Sequence, residues 1–207
     1  AKYPLLIESY ALRQDSGGAG KQRGGLGAEQ RVRVLSDIMF DTQIERVECR
    51  PWGLAGGLSA LGNEVAITRQ GKDEVVYSTG KVFAQLLKPE DVWTLRSGGG
   101  GGFGNPLDRK LSDVEDDLRN GYISAAAARE QYGAVIVPLT LRADQAASRE
   151  LRAAMRAQGL PHDHPRTSEA PGRRKAPPPR LRLLPKAARE MAEEAREAGL
   201  LAARCCS

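Results

Sequence analysis

The stretch SGGGGGFG at residues 97–104 is the segment on which the fold turns. Glycine loses more conformational entropy on folding than any other residue. Six glycines in eight positions are therefore costly unless the backbone must take positive φ or approach something closely. Two further clusters repeat the feature, SGGAGKQRGGLG at 16–27 and WGLAGGLSALG at 52–62. Together the three clusters hold 16 of the 23 glycines, so the expense is concentrated and calls for a local reason.

Between the clusters the chain reads as short strands. PLLIESYAL (4–12), RVRVL (31–35), EVAIT (64–68), EVVYS (74–78), KVFAQLL (81–87) and DVWTLR (91–96) are rich in β-formers and partly alternate. In RVRVL the alternation is cleanest, with Val32 and Val34 on one face and Arg31 and Arg33 on the other. Lys88-Pro89-Glu90-Asp91 reads as a turn between two apolar runs. After Pro106 the pattern changes to helix. Ser112 with Glu115 forms a capping-box pattern, and Gly121 is a stop. Ser124 is placed to cap AAAAREQY, which Gly133 ends. AVIVPL (134–139) reads as a short strand and 143–158 as a third helix ended by Gly159. The fold class expected is α+β, mainly β with glycine-rich loops in 1–104 and helices after 110. Residues 1–159 form the folded module.

The remaining residues differ in composition. The net charge of +5 is made up of +1 over residues 1–159 and +4 over 160–207. The Pro-rich, basic 160–185 has too few apolar residues to bury a core and is expected to be a disordered linker, followed by a tail at 186–207 with a short helix. A nearly neutral body argues against nucleic-acid binding, which needs concentrated positive charge. No stretch reaches the roughly 20 apolar residues of a membrane span. With three cysteines in 207 residues there is no disulfide framework, so a cytoplasmic location is expected. Cys49, flanked by strand-like residues, reads as structural.

Familiar catalytic templates fail on particular residues. Gly20-Lys21 resembles the end of a P-loop, but Asp15 stands where its first glycine belongs and Gln22 follows the lysine. Residues 99–104 fit G-x-G-x-x-G, yet Asn105-Pro106 follow instead of a helix. The only histidines, His162 and His164, lie in the expected linker, and two residues are short of a catalytic zinc set. No metal ligand is assigned. Asp15 at the lip of the first cluster, with Lys21 and Arg23 inside it, is the one compact polar constellation.

Three segments taken together resemble a known family. RQDSGGAGKQRGGLGAEQRVRVL, PWGLAGG, and RSGGGGGFGNPLDR followed by NGYISAAAAREQYGAVI are similar, in order and spacing, to the C-terminal part of the hydantoinase B/oxoprolinase family. The resemblance covers residues 3–159. It implies the B-type subunit of an ATP-dependent hydrolase that opens 5-oxoproline, hydantoin or lactam rings, inactive alone. The alternatives it implies are a subunit fragment of an acetone- or acetophenone-type carboxylase and a non-catalytic assembly module. It implies a hydantoinase A-type ATP-binding partner and an N-terminal B portion that this sequence lacks. ATP and a divalent metal would belong to the complete complex, with no cofactor bound by this chain. The family's Asn-Asp-Pro and His-x-x-Asp region is absent here, and residues 160–207 match nothing in the pattern. The matching positions are Gly17, Gly18, Gly20, Gly24, Gly25 and Gly27, then Gly98, Gly99, Gly100, Gly101, Gly102 and Gly104. With Asp15 and Arg23, they carry a loop-shaping role near the active site or an interface, and the catalytic residues stay unassigned.

Overall fold

Four strand ends meet at one side of the molecule, and the rest of the architecture follows from them. The computed structural model describes residues 3–159 and the pair Arg174–Lys175. The strands are β1 (Leu5–Leu12), β2 (Ala28–Val34), β3 (Ile38–Gln43), β4 (Glu64–Thr68), β5 (Glu74–Tyr77), β6 (Lys81–Leu87) and β7 (Val92–Arg96). A sheet of order β1-β2-β7-β4-β5 is antiparallel throughout, and β10 (Arg174–Lys175) adds a short parallel pairing to β5. The rest of the expected linker and the tail lie outside the described residues.

Register explains which face is buried. Val32 and Val34 project to the same side as Val65, Ile67, Trp93 and Leu95. The antiparallel ribbon β3–β6 packs on that side. It supplies Val82 and Leu87, with Ile38 and Phe40 alongside, and Phe40 stacks on Trp93 with ring centroids 5.4 Å apart. The opposite side carries charge. Arg31 and Arg33 reach Glu8 of β1, while Arg96 bonds Glu29 of β2, Glu64 of β4 and Glu74 of β5. Glu64 is only 2% exposed, so its pairing with Arg96 offsets a desolvation cost that a lone carboxylate could not bear.

The helical part follows a 3-10 turn, Pro106–Asp108. Helix α1 (Leu111–Arg119) begins earlier than its capping-box pattern suggests. Lys110 occupies the N-cap without a side-chain bond, and Ser112 lies inside the first turn. Helix α2 (Ala125–Tyr132) has the expected ends. The Ser124 side chain accepts from the Ala127 amide, and Gly133 closes the helix at φ 58°. The short ribbon β8 (Ile136–Val137) and β9 (Arg142–Ala143) leads to α3 (Gln145–Gln158), capped by Asp144. Val114, Ile123, Ala127, Ala128 and Tyr132 form a second core, and its other wall is Ala19 and Leu58 from the glycine clusters. Burial pushes the Tyr132 hydroxyl well above the usual phenol range, so it stays protonated. Cys49 corrects an expectation: it is exposed and sits outside any strand.

The turn before β7 is held by Asp91. Burial pushes its carboxyl pKa up, but the Lys88 amide, the Arg69 guanidinium and the Gln70 amide outweigh burial and hold it below 3.8. A depressed carboxylate stabilises the fold fully above its unfolded pKa, and that contribution is lost as pH falls through the folded value. Asp91→Ala is expected to cost about 1–3 kcal/mol at pH 7. Thermal melts from pH 7 to pH 2 check this: the gap to wild type should close below pH 4, and a pH-independent gap would contradict the account.

Candidate functional site

The three glycine clusters are one structure. The first links β1 to β2, the second precedes β4, and the third continues from β7. These strands are neighbours in the order β1-β2-β7-β4, and their ends are level, with Leu12 opposite Ala28, Glu29 opposite Arg96 and Glu64 opposite Arg96. The chain thus leaves the sheet as parallel lines of backbone about 4.8 Å apart. A buried arginine ties the junction: Arg13 donates to the Gly62 carbonyl at 2.8 Å and the Ser97 carbonyl at 3.2 Å. Ser16 donates to the Arg13 carbonyl and accepts from the Gly27 amide at 2.8 Å.

Beyond the junction the segments pack backbone to backbone. A Cβ on Gly98 would lie 2.7 Å from the Leu61 oxygen, and one on Gly101 1.9 Å from the Trp52 oxygen. On Gly99 and Gly102 it would meet the Ser16 and Ala19 oxygens at 2.2 and 2.0 Å. Gly100 faces Gly25, and Phe103 bridges to Gln22. Neighbours therefore recur every third residue, which is the period of a polyproline II helix. Such a helix makes no internal hydrogen bonds, so its amides and carbonyls are free for adjacent segments. Gly18 N bonds Gly100 O at 2.9 Å, Gly100 N bonds Gly25 O at 2.9 Å, Gly102 N bonds Leu58 O at 3.0 Å, and Gly104 N bonds Leu54 O at 2.9 Å.

Close approach, not positive φ, is the reason for the glycines. Of the loop-shaping glycines only Gly104 has positive φ, at 74°. Gly17, Gly18, Gly20, Gly24 and Gly27 each leave no room for a Cβ, the tightest being Gly24, 1.8 Å from the Gly100 oxygen. Gly25 is the exception, with nothing within 4 Å.

The polar constellation docks this bundle on the helices. Asp15, at φ 59°, accepts from the Ser124 amide at 2.8 Å, and its own amide bonds the Tyr122 carbonyl at 3.0 Å. Arg23 lies over the Tyr122 ring at 5.3 Å and donates to Asp117 at 3.1 Å. Arg109 reaches the same Asp117 oxygen at 2.8 Å and donates to the Lys21 carbonyl at 3.2 Å. Asp15 and Arg23 thus converge on Tyr122, while the Lys21 side chain is exposed. Sequence reasoning missed Asp117, Arg109 and Tyr122. Asp117 had only the signal of one acidic residue among several at a helix start.

At its free end the bundle exposes Trp52, Leu54 and Phe103, beside Lys21. Among the described residues no three of His, Cys, Asp or Glu are grouped so as to hold a metal. Asp117 accepts from two arginines through one oxygen, and Asp15 accepts from the Ser124 amide, so both carboxylates take part in structural bonds. Lys21 is followed by Gln22 with no P-loop around it. No helix among the described residues is long and apolar enough to cross a membrane.

Comparison with known proteins assigns the family. The model of Hydantoinase B/oxoprolinase matches residues 1–106, and the chain belongs to that family. It is 35% identical over 160 residues to the beta subunit of caprolactamase from Pseudomonas jessenii, covering 73% of this chain and 26% of that one. The structure of that organism's ATP-dependent caprolactamase aligns with a TM-score of 0.59 at 30% identity, over 73% of this chain and 27% of the other. The B-type subunit of a putative D-/L-hydantoinase from Pseudomonas sp. strain NS671 is 31% identical over 134 residues, covering 65% of this chain and 23% of that one. The nucleotide-free structure of acetone carboxylase shares the fold, with a TM-score of 0.66 at 21% identity over 94% of this chain and 27% of the other. The chain spans about a quarter of the length of these relatives.

The bundle makes a contrast that substitution can read. Gly102→Ala places a methyl group against the Ala19 carbonyl and should cost about 3 kcal/mol, roughly a 10 °C drop in Tm. Gly25→Ala should stay within about 0.5 kcal/mol of wild type. Equal effects of the two, measured by thermal unfolding, would remove the close-packing explanation.

Proposed function

We propose that this chain acts as a module of the B-type subunit of an ATP-dependent hydrolase that opens cyclic amides such as 5-oxoproline, hydantoins or lactams. The observation that carries the reading is the 35% identity to the caprolactamase beta subunit over 73% of this chain. An unstrained amide is resonance-stabilised, and ATP cleavage in the complete complex would offset that stability. The ATP site is assigned to a hydantoinase A-type partner and the divalent metal to the complete complex. Cytoplasmic location is part of the proposal.

The role of the module is positional. Its backbone hydrogen bonds hold three extended segments at fixed spacing, and the Arg23–Asp117–Arg109 cluster fixes them on the helices. Asp15, Arg23 and the glycines shape a rigid edge near the active site or a subunit interface. They are not catalytic residues in this reading. A ketone carboxylase subunit is the second reading, favoured by the breadth of the fold match to acetone carboxylase. An assembly module without catalysis is the third, favoured by the engagement of Asp15 and Asp117 in structural bonds.

Reconstitution separates these readings. The chain is assayed alone, and then with an A-type partner and the remaining portion of a B-type protein. Each mixture receives ATP with 5-oxoproline, hydantoin or caprolactam. Ring opening only in the full mixture is the expected result. Consumption of acetone and bicarbonate in place of any cyclic amide would transfer the assignment to the carboxylases. Ring opening by the chain alone would contradict the positional role.

A further inference from the structure

Strand β1 stands at the edge of the sheet, and all eight of its residues are exposed. Its register against β2 carries an irregularity between Ile7 and Ser9. Up to that point Leu5 and Ile7 lie opposite Val34 and Val32, on the apolar side of the sheet. Beyond it Tyr10 and Leu12 lie opposite Gln30 and Ala28, on the same side. Without the extra residue, Tyr10 would fall opposite Glu29 on the charged side. The bulge therefore keeps four large apolar residues in one row, and it leaves Glu8 on the other side for Arg31 and Arg33. The row is bare, since Leu5, Ile7, Tyr10 and Leu12 are 37%, 60%, 71% and 60% exposed.

The roof stops short of this row. The β3–β6 ribbon covers the apolar side over the central strands, and among the described residues β3 pairs with β6 alone. Between β3 and β1 runs an open groove of about 440 Å³, walled by Pro4 and Leu5 on one side and Met39 and Phe40 on the other, with Trp93 in its lining. A long exposed apolar row on an edge strand is an aggregation hazard unless something covers it.

The geometry points to one occupant: an extended apolar segment from the part of the B-type fold that lies outside this chain. It would add to the free edge of β3 and roof the Leu5-Ile7-Tyr10-Leu12 row. About three quarters of each relative lies outside the match and needs a surface on this module. A second copy paired edge to edge through β1 would satisfy the β1 backbone but leave the apolar row uncovered. The inference rests on the B-type reading above.

The test uses this chain and the remaining portion of the Pseudomonas jessenii caprolactamase beta subunit, co-expressed and co-purified. Ile7→Lys/Tyr10→Lys is compared with wild type and with Lys72→Glu, an exposed turn position away from the row. All three should melt alike, because every substituted side chain is exposed. The expected result is a 1:1 complex for wild type and Lys72→Glu, with affinity reduced at least tenfold in the double variant. A double variant that binds as wild type does would overturn this docking site and leave the B-type reading intact. A homodimer of the chain that the double variant dissociates would assign the row to a second copy and overturn the proposal. Absence of any complex with wild type would overturn the proposal too; ring opening in the reconstitution assay then decides whether the B-type reading falls with it.

Discussion

Backbone-to-backbone contact at residues 98–102 is the constraint on which the rest depends. Four of these five glycines would drive a Cβ to within 2.7 Å of a carbonyl oxygen on a neighbouring segment. No other residue type fits, so the entropic cost of so much glycine is met by hydrogen bonds and close packing that only glycine permits. The period of three is what lets a single segment serve three neighbours in turn. A strand, with its period of two, would reach only two.

The surrounding structure can be understood as support for that contact. Level strand ends deliver the segments at the right spacing. Arg13 and Ser16 bind carbonyls and amides that would otherwise be stranded at the junction. Ala19 and Leu58 turn one flank of the bundle into a wall of the helical core, so helices and bundle stabilise each other. The Arg23–Asp117–Arg109 cluster then fixes the register of that docking. Membership of the hydantoinase B/oxoprolinase family gives this rigid unit a setting: in the caprolactamase beta subunit the matching region is about a quarter of the chain.

Much of this is legible in the sequence where the signal is local. The alternation of RVRVL, the Ser124 cap and the Gly133 stop each depend on a few adjacent residues, and each is observed. The glycine clusters announce a cost with two possible causes. Choosing close approach over positive φ requires knowing that segments over 80 residues apart are neighbours, which no local pattern encodes. Strand β3 escapes a sequence reading because IMFDTQ mixes a charge into its alternation; Asp41 is tolerated there because it accepts from the Ala84 amide at the bulge facing it. Ser112 misleads because the helix starts two residues before its capping box, with Lys110 at the N-cap, so Ser112 lies inside the first turn. Asp117 is hidden among its acidic neighbours, since only the tertiary fold brings Arg23 to it.

Amide hydrogen exchange at the glycines tests the central claim most directly. If the bundle is a hydrogen-bonded core, the amides of Gly18, Gly24, Gly100 and Gly102 should exchange as slowly as those of β2 and β7. Gly71, in an open turn, provides the fast reference within the same molecule. Exchange of the bundle glycines at the rate of Gly71 would mean that the clusters are ordinary loops, and the account built on them would fail.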